Sequence, residues 1–322
     1  MKAAVATRFG SPDVIEIQEV VKPVPRDHEV LIQVHAVALN PLDWRLMRGG
    51  PFLARLLLGG SRPRISSPGI DVAGRIEAVG RAVNRFQVGN DVFGSCRKAC
   101  AEFACAPETA LALKGDTITF EQAASANIAG LTALQALRDK ARVRPGQKVL
   151  VNGAAGGVGT FAVQIARWMG AEVTGVCSTG NVELVCSLGA QHVIDYTVED
   201  FTRGGTRYDV MVDCIANHSL RALGGVLSRG GICLSIGAPH DITLTRIVGR
   251  LAPAPFLSMA TGRKFPMFVA RKSSEDLAFL AGQIASGEIR PVIERRYHLE
   301  ETAEALRYLE AGHARGKVIV TI

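Results

Sequence analysis

Residues 148–169 read KVLVNGAAGGVGTFAVQIARWM, a stretch that changes character twice. It opens on a short apolar run, Val149 to Val151, of the kind that is buried in a parallel sheet. It closes on a segment with apolar residues at helical spacing, Phe161 to Met169, and four glycines lie between the two. The pattern predicts a strand, a tight turn and a helix.

Such a turn directs free backbone N–H groups and the positive end of a helix toward one point, which suits a phosphate group. The dinucleotide-binding fingerprint G-x-G-x-x-G appears here with alanine in the first glycine position. The alternative is a tight turn that binds no ligand. The cofactor-binding residues predicted in this turn are Gly153, Ala155, Gly156, Gly157, Val158 and Gly159.

The residues that follow favour the cofactor interpretation. Residues 172–177 read as a second strand, 182–188 as a helix and 193–194 as a third strand, so strands and helices alternate as in half of a dinucleotide-binding fold. Two further buried strands are predicted at 208–213 and 231–237. The expected fold class is therefore α/β, with a doubly wound parallel sheet in this part of the chain.

The end of the second strand indicates which dinucleotide is bound. NAD-binding sites normally carry Asp or Glu there to hold the ribose 2′-hydroxyl, whereas this chain has Cys177-Ser178-Thr179. We expect NADPH, with hydrogen-bond donors to its 2′-phosphate from Ser178, Thr179 and Asn181, although no arginine accompanies them. Tyr196 is a further candidate donor, and packing is its alternative role.

The composition is that of an ordinary globular protein of 322 residues, with 48% hydrophobic and 21% charged residues. The net charge of +7 favours anionic ligands, but the basic residues are scattered, so nucleic-acid binding is not expected. No apolar run reaches the roughly 18 residues of a membrane span, and the start shows no signal-peptide pattern. Seven scattered cysteines are typical of reduced thiols. We therefore expect a cytoplasmic protein.

Outside the central stretch, residues 2–114 are strand-like and broken by turns, which predicts a β-rich region. Residues 120–141 predict a helical passage that begins at the N-cap Thr119. Two amphipathic helices are expected at 273–286 and 299–312, and a last strand at 317–322.

Several of these motifs together resemble one family over nearly the whole length. They are MKAAV, EVLIQVHAVALNPLDW, GIDVAGRIEAVG, VNGAAGGVGTFAVQIA, LGAQHVIDY and GHARGKVIV. The chain resembles the medium-chain dehydrogenase/reductase superfamily and, within it, the zinc-free quinone oxidoreductase group. The resemblance implies a GroES-like β-barrel domain at 1–122, completed by 267–322, with a Rossmann NADPH-binding domain inserted at 123–266. It also implies an active site between the domains and a homodimer formed through the edge of the Rossmann sheet.

The resemblance also bears on metal. It places Asn40, Ile70 and Asn127 where alcohol dehydrogenases of the superfamily hold catalytic zinc, and an isoleucine cannot bind zinc. A structural zinc site needs four closely spaced cysteines, whereas Cys96, Cys100 and Cys105 are three. We therefore expect no metal.

Without a Lewis acid, the expected reaction is hydride transfer from NADPH to a quinone or an α,β-unsaturated carbonyl, whose electron-poor atom accepts hydride directly. The resemblance places Asn40, Asp43, Trp44, Asn127 and Thr132 at the active site. We expect Asn40 and Asn127 to donate to the substrate oxygen, Trp44 to form a wall for a flat ring and Thr132 to contact the nicotinamide. Roles in a turn, in the core and in helix packing are the alternatives, and the final proton is assigned to water.

Two further residues complete the predicted cofactor site. The resemblance brings Lys317 toward the NADPH phosphates or ribose, with a solvated charge as its alternative. Gly237 ends the fifth strand, where ligands of open parallel sheets bind.

The apolar stretches 52–58 and 247–256 suit core and dimer contacts, or else a tunnel for a lipid-like substrate or a membrane surface. Two other functions stay open. One is a reductase for an enoyl thioester or an aldehyde, and the other is an NADPH-binding regulatory or structural protein with little turnover.

Overall fold

The computed structural model describes residues 1–49, 67–237, 249 and 252–322, so the stretch 52–58 and, within the stretch 247–256, residues 247, 248, 250 and 251 lie outside the described residues. The chain divides into two units. Unit 1 comprises Met1–Leu131, Arg271–Gly287 and Pro291–Ile322, and unit 2 comprises Thr132–Ala270 and Glu288–Arg290. Unit 1 thus runs to Leu131 before unit 2 begins, and the domain boundary at 122 stays a prediction.

The strands are β1 (Lys2–Ala6), β2 (Ile15–Glu19), β3 (Glu29–Leu39), β4 (Asp71–Val79), β5 (Asp91–Ser95), β6 (Phe103–Pro107), β7 (Leu111–Leu113), β8 (Lys148–Asn152), β9 (Glu172–Cys177), β10 (His192–Asp195), β11 (Tyr208–Asp213), β12 (Leu227–Ser235), β13 (Ile293–His298) and β14 (Lys317–Thr321). The α-helices are α1 (Pro41–Arg48), α2 (Phe120–Ala126), α3 (Ile128–Gln135), α4 (Gly157–Trp168), α5 (Val182–Ser187), α6 (Leu220–Gly225), α7 (Ala254–Thr261), α8 (Ser274–Ala285) and α9 (Thr302–Glu310).

Unit 1 is built on a mostly antiparallel sheet in the order β13-β14-β3-β4-β5-β7, with β6 also paired to β3 and a separate β1-β2 ladder. The long strand β3 lies in the interior of the sheet. Most of its apolar residues are buried, as expected for a strand that is covered on both faces. β14 pairs with the end of β3, with Val318 opposite Leu39. The C-terminal segment therefore completes the sheet that β3 begins.

Unit 2 carries a parallel sheet in the order β10-β9-β8-β11-β12. Counted within the unit, the order is 3-2-1-4-5, which is the doubly wound order of a dinucleotide-binding sheet. Residues 264–268 add a short parallel segment to β12, since Lys264 bridges Ile232 and Met267 bridges Ser235. The predicted parallel sheet is confirmed, and β9 has the predicted bounds.

The predicted helical passage at 120–141 is confirmed, and it consists of three segments. Thr119 caps α2 as expected, accepting a hydrogen bond from the Gln122 N–H at 3.2 Å. The helix is then interrupted at Asn127, and α3 continues into a π-helical segment, Ala136–Ala141. Because the break falls at Asn127, its side chain is held at a junction between two helices.

Candidate functional site

A buried group of charged and amide side chains lies in unit 1, here named the polar cluster: Asn40, Asp43, Asp71, Asn127 and Lys317. Each of them is at most 5% exposed. They come together because the strand ends of β3, β4 and β14 meet there, with α1 beginning after Asn40 and the α2–α3 junction closing one side. Asn40 and Asp43 are neighbours at the start of α1, but Asp71, Asn127 and Lys317 are far away in the sequence, so only the folded sheet brings them together.

Asp71 is the centre of the cluster. Its carboxylate accepts hydrogen bonds from Asn40 Nδ2 at 2.9 Å and from Asn127 Nδ2 at 2.8 Å. Lys317 Nζ lies 3.4 Å from Asp71 Oδ2, which makes a buried ion pair. Burial raises the pKa of Asp71, while Lys317 and the two amides oppose that shift. Since all these contacts come from N–H donors, the arrangement fits the ionised carboxylate.

Lys317 lies where neither sequence interpretation placed it. Its ammonium donates to Leu39 O at 3.2 Å and to Asn40 Oδ1 at 2.6 Å, in addition to the contact with Asp71. A lysine has three N–H donors, so none is left for a cofactor phosphate. Lys317 is also 2% exposed, which excludes a solvated charge. The assignment of Lys317 to the cofactor is therefore corrected.

The predicted donor roles of the two asparagines also need correction. Both N–H groups of the Asn40 amide are used, by Asp71 and by Ala38 O at 3.2 Å. Both N–H groups of the Asn127 amide are used as well, by Asp71 and by Ser95 Oγ at 2.8 Å. Neither side chain has a donor left for a substrate oxygen. The turn role foreseen as the alternative for Asn40 agrees with its position at the start of α1.

Asp43 and Trp44 follow in α1. The Asp43 carboxylate accepts from the Asn40 N–H at 2.7 Å and from the Gly69 N–H at 3.0 Å, so it ties the helix start to the chain before β4. Trp44 is 5% exposed and belongs to the core of unit 1, which favours the packing alternative over a wall for a substrate ring. Thr132 is buried in α3.

Asp43 gives the stability of the protein a predictable dependence on pH. Burial raises its pKa to about 7, and Asp71 adds to the shift. Because the folded state binds the proton more tightly than the unfolded chain, the stabilisation is complete below about pH 4 and is lost as the pH rises through 7. We expect the urea midpoint of Asp43→Asn to fall less than that of the parent between pH 5.5 and 8. Equal slopes in the two proteins would contradict this assignment.

The second candidate region is the glycine loop of unit 2, Gly153–Gly159, which follows β8 and includes the first residues of α4. Gly153 adopts a left-handed conformation with φ +86°, and the N–H of Ala154 bonds to Val176 O at 3.0 Å. The first helical hydrogen bond runs from Thr160 to Gly156 O. The N–H groups ahead of Thr160 in α4 are therefore free of helical partners and available to an anion.

The glycines of the loop have different tasks. A Cβ on Gly159 would lie 2.0 Å from Gly153 O, so the helix and the loop can meet only at glycine. A Cβ on Gly156 would meet only Gly153 O, at 3.5 Å, so the space beside it is open. One glycine allows close packing and the other leaves room for a ligand. The loop therefore fits the pyrophosphate of a dinucleotide.

The end of β9 carries the residues predicted to bind the 2′-phosphate. Asn181 Nδ2 donates to Ser178 Oγ at 3.0 Å, and Thr179 Oγ1 lies 3.0 Å from Thr197 Oγ1. Tyr196 is 58% exposed, which excludes the packing alternative. These hydroxyl groups lie at the surface, where a phosphate could reach them.

Asp195 was missed in the sequence. It pairs in register with Cys177, so a carboxylate does lie beside the end of β9, contrary to the sequence argument. It accepts from Thr197 N at 2.9 Å and Thr197 Oγ1 at 2.7 Å. Hydrogen bonds from Thr179 and Thr197 lower the pKa of Asp195, so it is ionised at neutral pH. Because β9 and β10 are neighbours in a doubly wound sheet, the sequence could have indicated that the last residue of β10 lies beside the end of β9.

The turn after β11 and the end of β12 lie at the same edge of the sheet. Asn152 Nδ2 donates to Asp213 Oδ1 at 2.9 Å and to Asn217 Oδ1 at 3.0 Å, which fixes the turn after β11. A Cβ on Gly237 would lie 1.8 Å from Cys214 O, so glycine is required there for close packing. The predicted proximity of Gly237 to a nicotinamide stays a prediction.

Comparison with known proteins covers both units. Residues 26–135 match the family description alcohol dehydrogenase GroES-like domain, and residues 188–320 match zinc-binding dehydrogenase. The quinone oxidoreductase of Mus musculus is 33% identical over 347 residues, covering 100% of this chain and 98% of the relative.

Two solved structures are similar over the whole chain. The quinone oxidoreductase from Coxiella burnetii has a TM-score of 0.87 and 31% identity, covering 100% of this chain and 99% of that one. A mycobacterial protein solved in complex with NADPH has a TM-score of 0.84 and 26% identity, with full coverage of both chains. Proteins named quinone oxidoreductase are therefore found both by sequence and by structure.

Proposed function

Since the chain belongs to the quinone oxidoreductase-like group of the medium-chain dehydrogenase/reductase superfamily, we propose that it is an NADPH-dependent, zinc-independent reductase of quinones or α,β-unsaturated carbonyls. The observation that carries the proposal is the glycine loop with its open space at Gly156, within a chain of this family. Bound NADPH supplies the hydride. The loop holds the pyrophosphate through backbone N–H groups, and the hydroxyl groups near β9 hold the adenosine end.

The zinc implied by one family description does not fit the donor atoms of this chain. Ile70 offers no ligand, and the Asn40 and Asn127 amide nitrogens donate to Asp71. The ammonium of Lys317 lies 2.6 Å from Asn40 Oδ1 and would repel a divalent cation. Catalytic zinc needs about three deprotonated ligands, which this arrangement does not provide. Zinc therefore has no part in the proposed reaction.

The remaining chemistry needs orientation more than acid catalysis. A quinone or enone accepts hydride at carbon or oxygen without a Lewis acid, provided that it is held against the nicotinamide. The described polar cluster has no free N–H donor for the developing negative charge, so water supplies the proton in this proposal.

The test is NADPH consumption with a panel of a benzoquinone, a naphthoquinone, 9,10-phenanthrenequinone, simple enones and a crotonyl thioester, with NADH in parallel. We expect turnover of a quinone or an enone with NADPH, unchanged by a chelator. Turnover of the thioester alone would favour the enoyl reductase alternative. Saturable NADPH binding without turnover would overturn the proposal.

Asp195 provides a prediction on cofactor choice. Its negative charge lies beside Thr179, where the 2′-phosphate is proposed to bind, and like charges repel. We expect Asp195→Asn to lower the Kd for NADPH roughly three- to tenfold at low salt, with little change for NADH. Quenching of tryptophan fluorescence measures both constants. An equal effect on the two cofactors would contradict a role at the 2′-phosphate.

The proposal extends to a homodimer. The segment 264–268 pairs with β12 at the edge of the unit 2 sheet. Met267 within this segment is 60% exposed, and Val269 just after it is 75% exposed. An exposed apolar sheet edge favours association of two copies. We expect light scattering to give the mass of a dimer and Met267→Lys combined with Val269→Lys to give a monomer. A parent protein that is monomeric at micromolar concentration would contradict this.

Location is the last part of the proposal. Among the described residues, no helix has both the length and the apolar character that a membrane span requires. A cytoplasmic location stays part of the proposal, on the ground that seven cysteines scattered over the chain are typical of reduced thiols.

A further inference from the structure

The polar cluster leaves one acceptor unsatisfied. Asn127 is 1% exposed, and its Oδ1 atom has no hydrogen-bond partner in the part of the chain that the structure describes. A buried carbonyl oxygen without a donor costs about 1–3 kcal/mol, so such atoms normally have a partner. A ligand that binds to the protein is one source of the missing hydrogen-bond donor.

The orientation of the Asn127 amide is determined by its neighbours. Asp71 is an acceptor in the ionised form, so it requires the Nδ2 side of the amide, at 2.8 Å. A reversed amide would place Oδ1 against the carboxylate, which is repulsive. The ion pair with Lys317 favours the ionised form of Asp71 and so maintains this orientation. The oxygen Oδ1, and not the NH2 group, is therefore the part of the Asn127 amide without a hydrogen-bond partner among the described residues.

Asn40 shows the contrast within the same cluster. Its amide also donates to Asp71, but its Oδ1 is satisfied by the Lys317 ammonium at 2.6 Å. The two amides are held alike by one carboxylate, and only one of them has a cation on its oxygen side. Within the polar cluster, the amide oxygen without a partner among the described residues is therefore that of Asn127.

We propose that Asn127, positioned by Asp71 and Lys317, is a specificity-determining residue whose Oδ1 accepts a hydrogen bond from an N–H or O–H group of a bound ligand. This inference rests on the proposed function, because the donor would come from the two ligands of that reaction. One source is the amide of the nicotinamide carboxamide, and the other is a hydroxyl group of the substrate or product. The sequence predicted that Asn127 donates a hydrogen bond to the substrate oxygen. In this proposal its Oδ1 is the acceptor, so Asn127 favours ligands that carry an N–H or O–H group over ligands that carry an oxyanion.

Equilibrium binding tests the inference without turnover, so its failure is distinct from failure of the proposed reaction. The first ligand pair is NADP+ and its 3-acetylpyridine analogue, which replaces the carboxamide NH2 by a methyl group. The second pair is 1-naphthol and 1-fluoronaphthalene, bound to protein saturated with NADP+. Calorimetry gives the four Kd values. We expect about three- to tenfold tighter binding of the donor in at least one pair.

Variants connect that preference to Asn127. Asn127→Leu is expected to bring the two Kd values of the pair within twofold of each other. Gln283→Leu is the matched control, because Gln283 Oε1 in α8 is another buried amide oxygen without a partner among the described residues. Gln283→Leu should retain the tighter binding of the ligand that carries the N–H or O–H group. If the leucine variant does not fold, Asn127→Ala takes its place.

Each outcome decides between the sources. A preference in the first pair that disappears in the Asn127 variant assigns the oxygen to the cofactor, and one in the second pair assigns it to the substrate. No preference in the parent protein, or a preference that survives in the Asn127 variant, overturns the inference and leaves only a trapped water as the partner of Oδ1.

Discussion

Lys317→Met is expected to lower the free energy of unfolding by about 3–5 kcal/mol, because it leaves the fully buried carboxylate of Asp71 without its counter-charge. Methionine has nearly the length of lysine and fills the same space, so loss of packing contributes little. Two further acceptors, Leu39 O and Asn40 Oδ1, lose their donor in the same change. Urea unfolding followed by circular dichroism measures the effect.

Lys2→Met is the matched control for this change. Lys2 also pairs with a carboxylate, Glu300 at 2.9 Å, but both side chains of that pair are more than half exposed. Exposed pairs contribute little, so the urea midpoint of the Lys2 variant should not move measurably. If Lys317→Met were as mild as the surface change, the buried pair would not have the role assigned here.

Gly156→Ala is expected to weaken NADPH binding roughly 10- to 100-fold while leaving the stability of the apoprotein unchanged. The added Cβ meets nothing closer than 3.5 Å within the protein, so folding tolerates it. It projects into the open space of the glycine loop, where hydrogen bonds of about 1.5–3 kcal/mol each to a charged phosphate would be lengthened or lost. Titration of NADPH fluorescence and thermal unfolding give the two quantities.

Gly159→Ala separates steric damage from loss of the ligand. Its Cβ would overlap Gly153 O at 2.0 Å, so the loop must move even without cofactor. We expect this variant to lose both stability and NADPH affinity, whereas the Gly156 variant loses affinity alone. Retained NADPH affinity in Gly156→Ala would place the pyrophosphate elsewhere.

The parallel sheet and its glycine loop could be predicted from the sequence because their signals are local. The strand β9 has its predicted bounds, and the fingerprint lies within a dozen residues of β8. Turn geometry and helix starts depend on neighbours in the chain, so a single sequence carries them.

The polar cluster could not be predicted in the same way. The roles of Lys317 and Asn127 depend on which strand ends meet, and β14 reaches β3 only in the folded sheet. A charged residue beginning an apolar strand, as Asp71 does, was the available signal for a buried partner. Asp195 was missed for a similar reason, since it is the last residue of β10, whereas the NAD rule considers the end of β9.

The distance in sequence between the partners of the buried ion pair also affects how the protein is made. Asp71 and Lys317 are 246 residues apart, and all five parallel strands of unit 2 are synthesised between them. At ribosomal rates of about 5–20 residues per second, Asp71 waits roughly 12–50 s for its cation. Unit 2 can therefore fold during translation, whereas the first 131 residues must remain incomplete until the last strand leaves the ribosome.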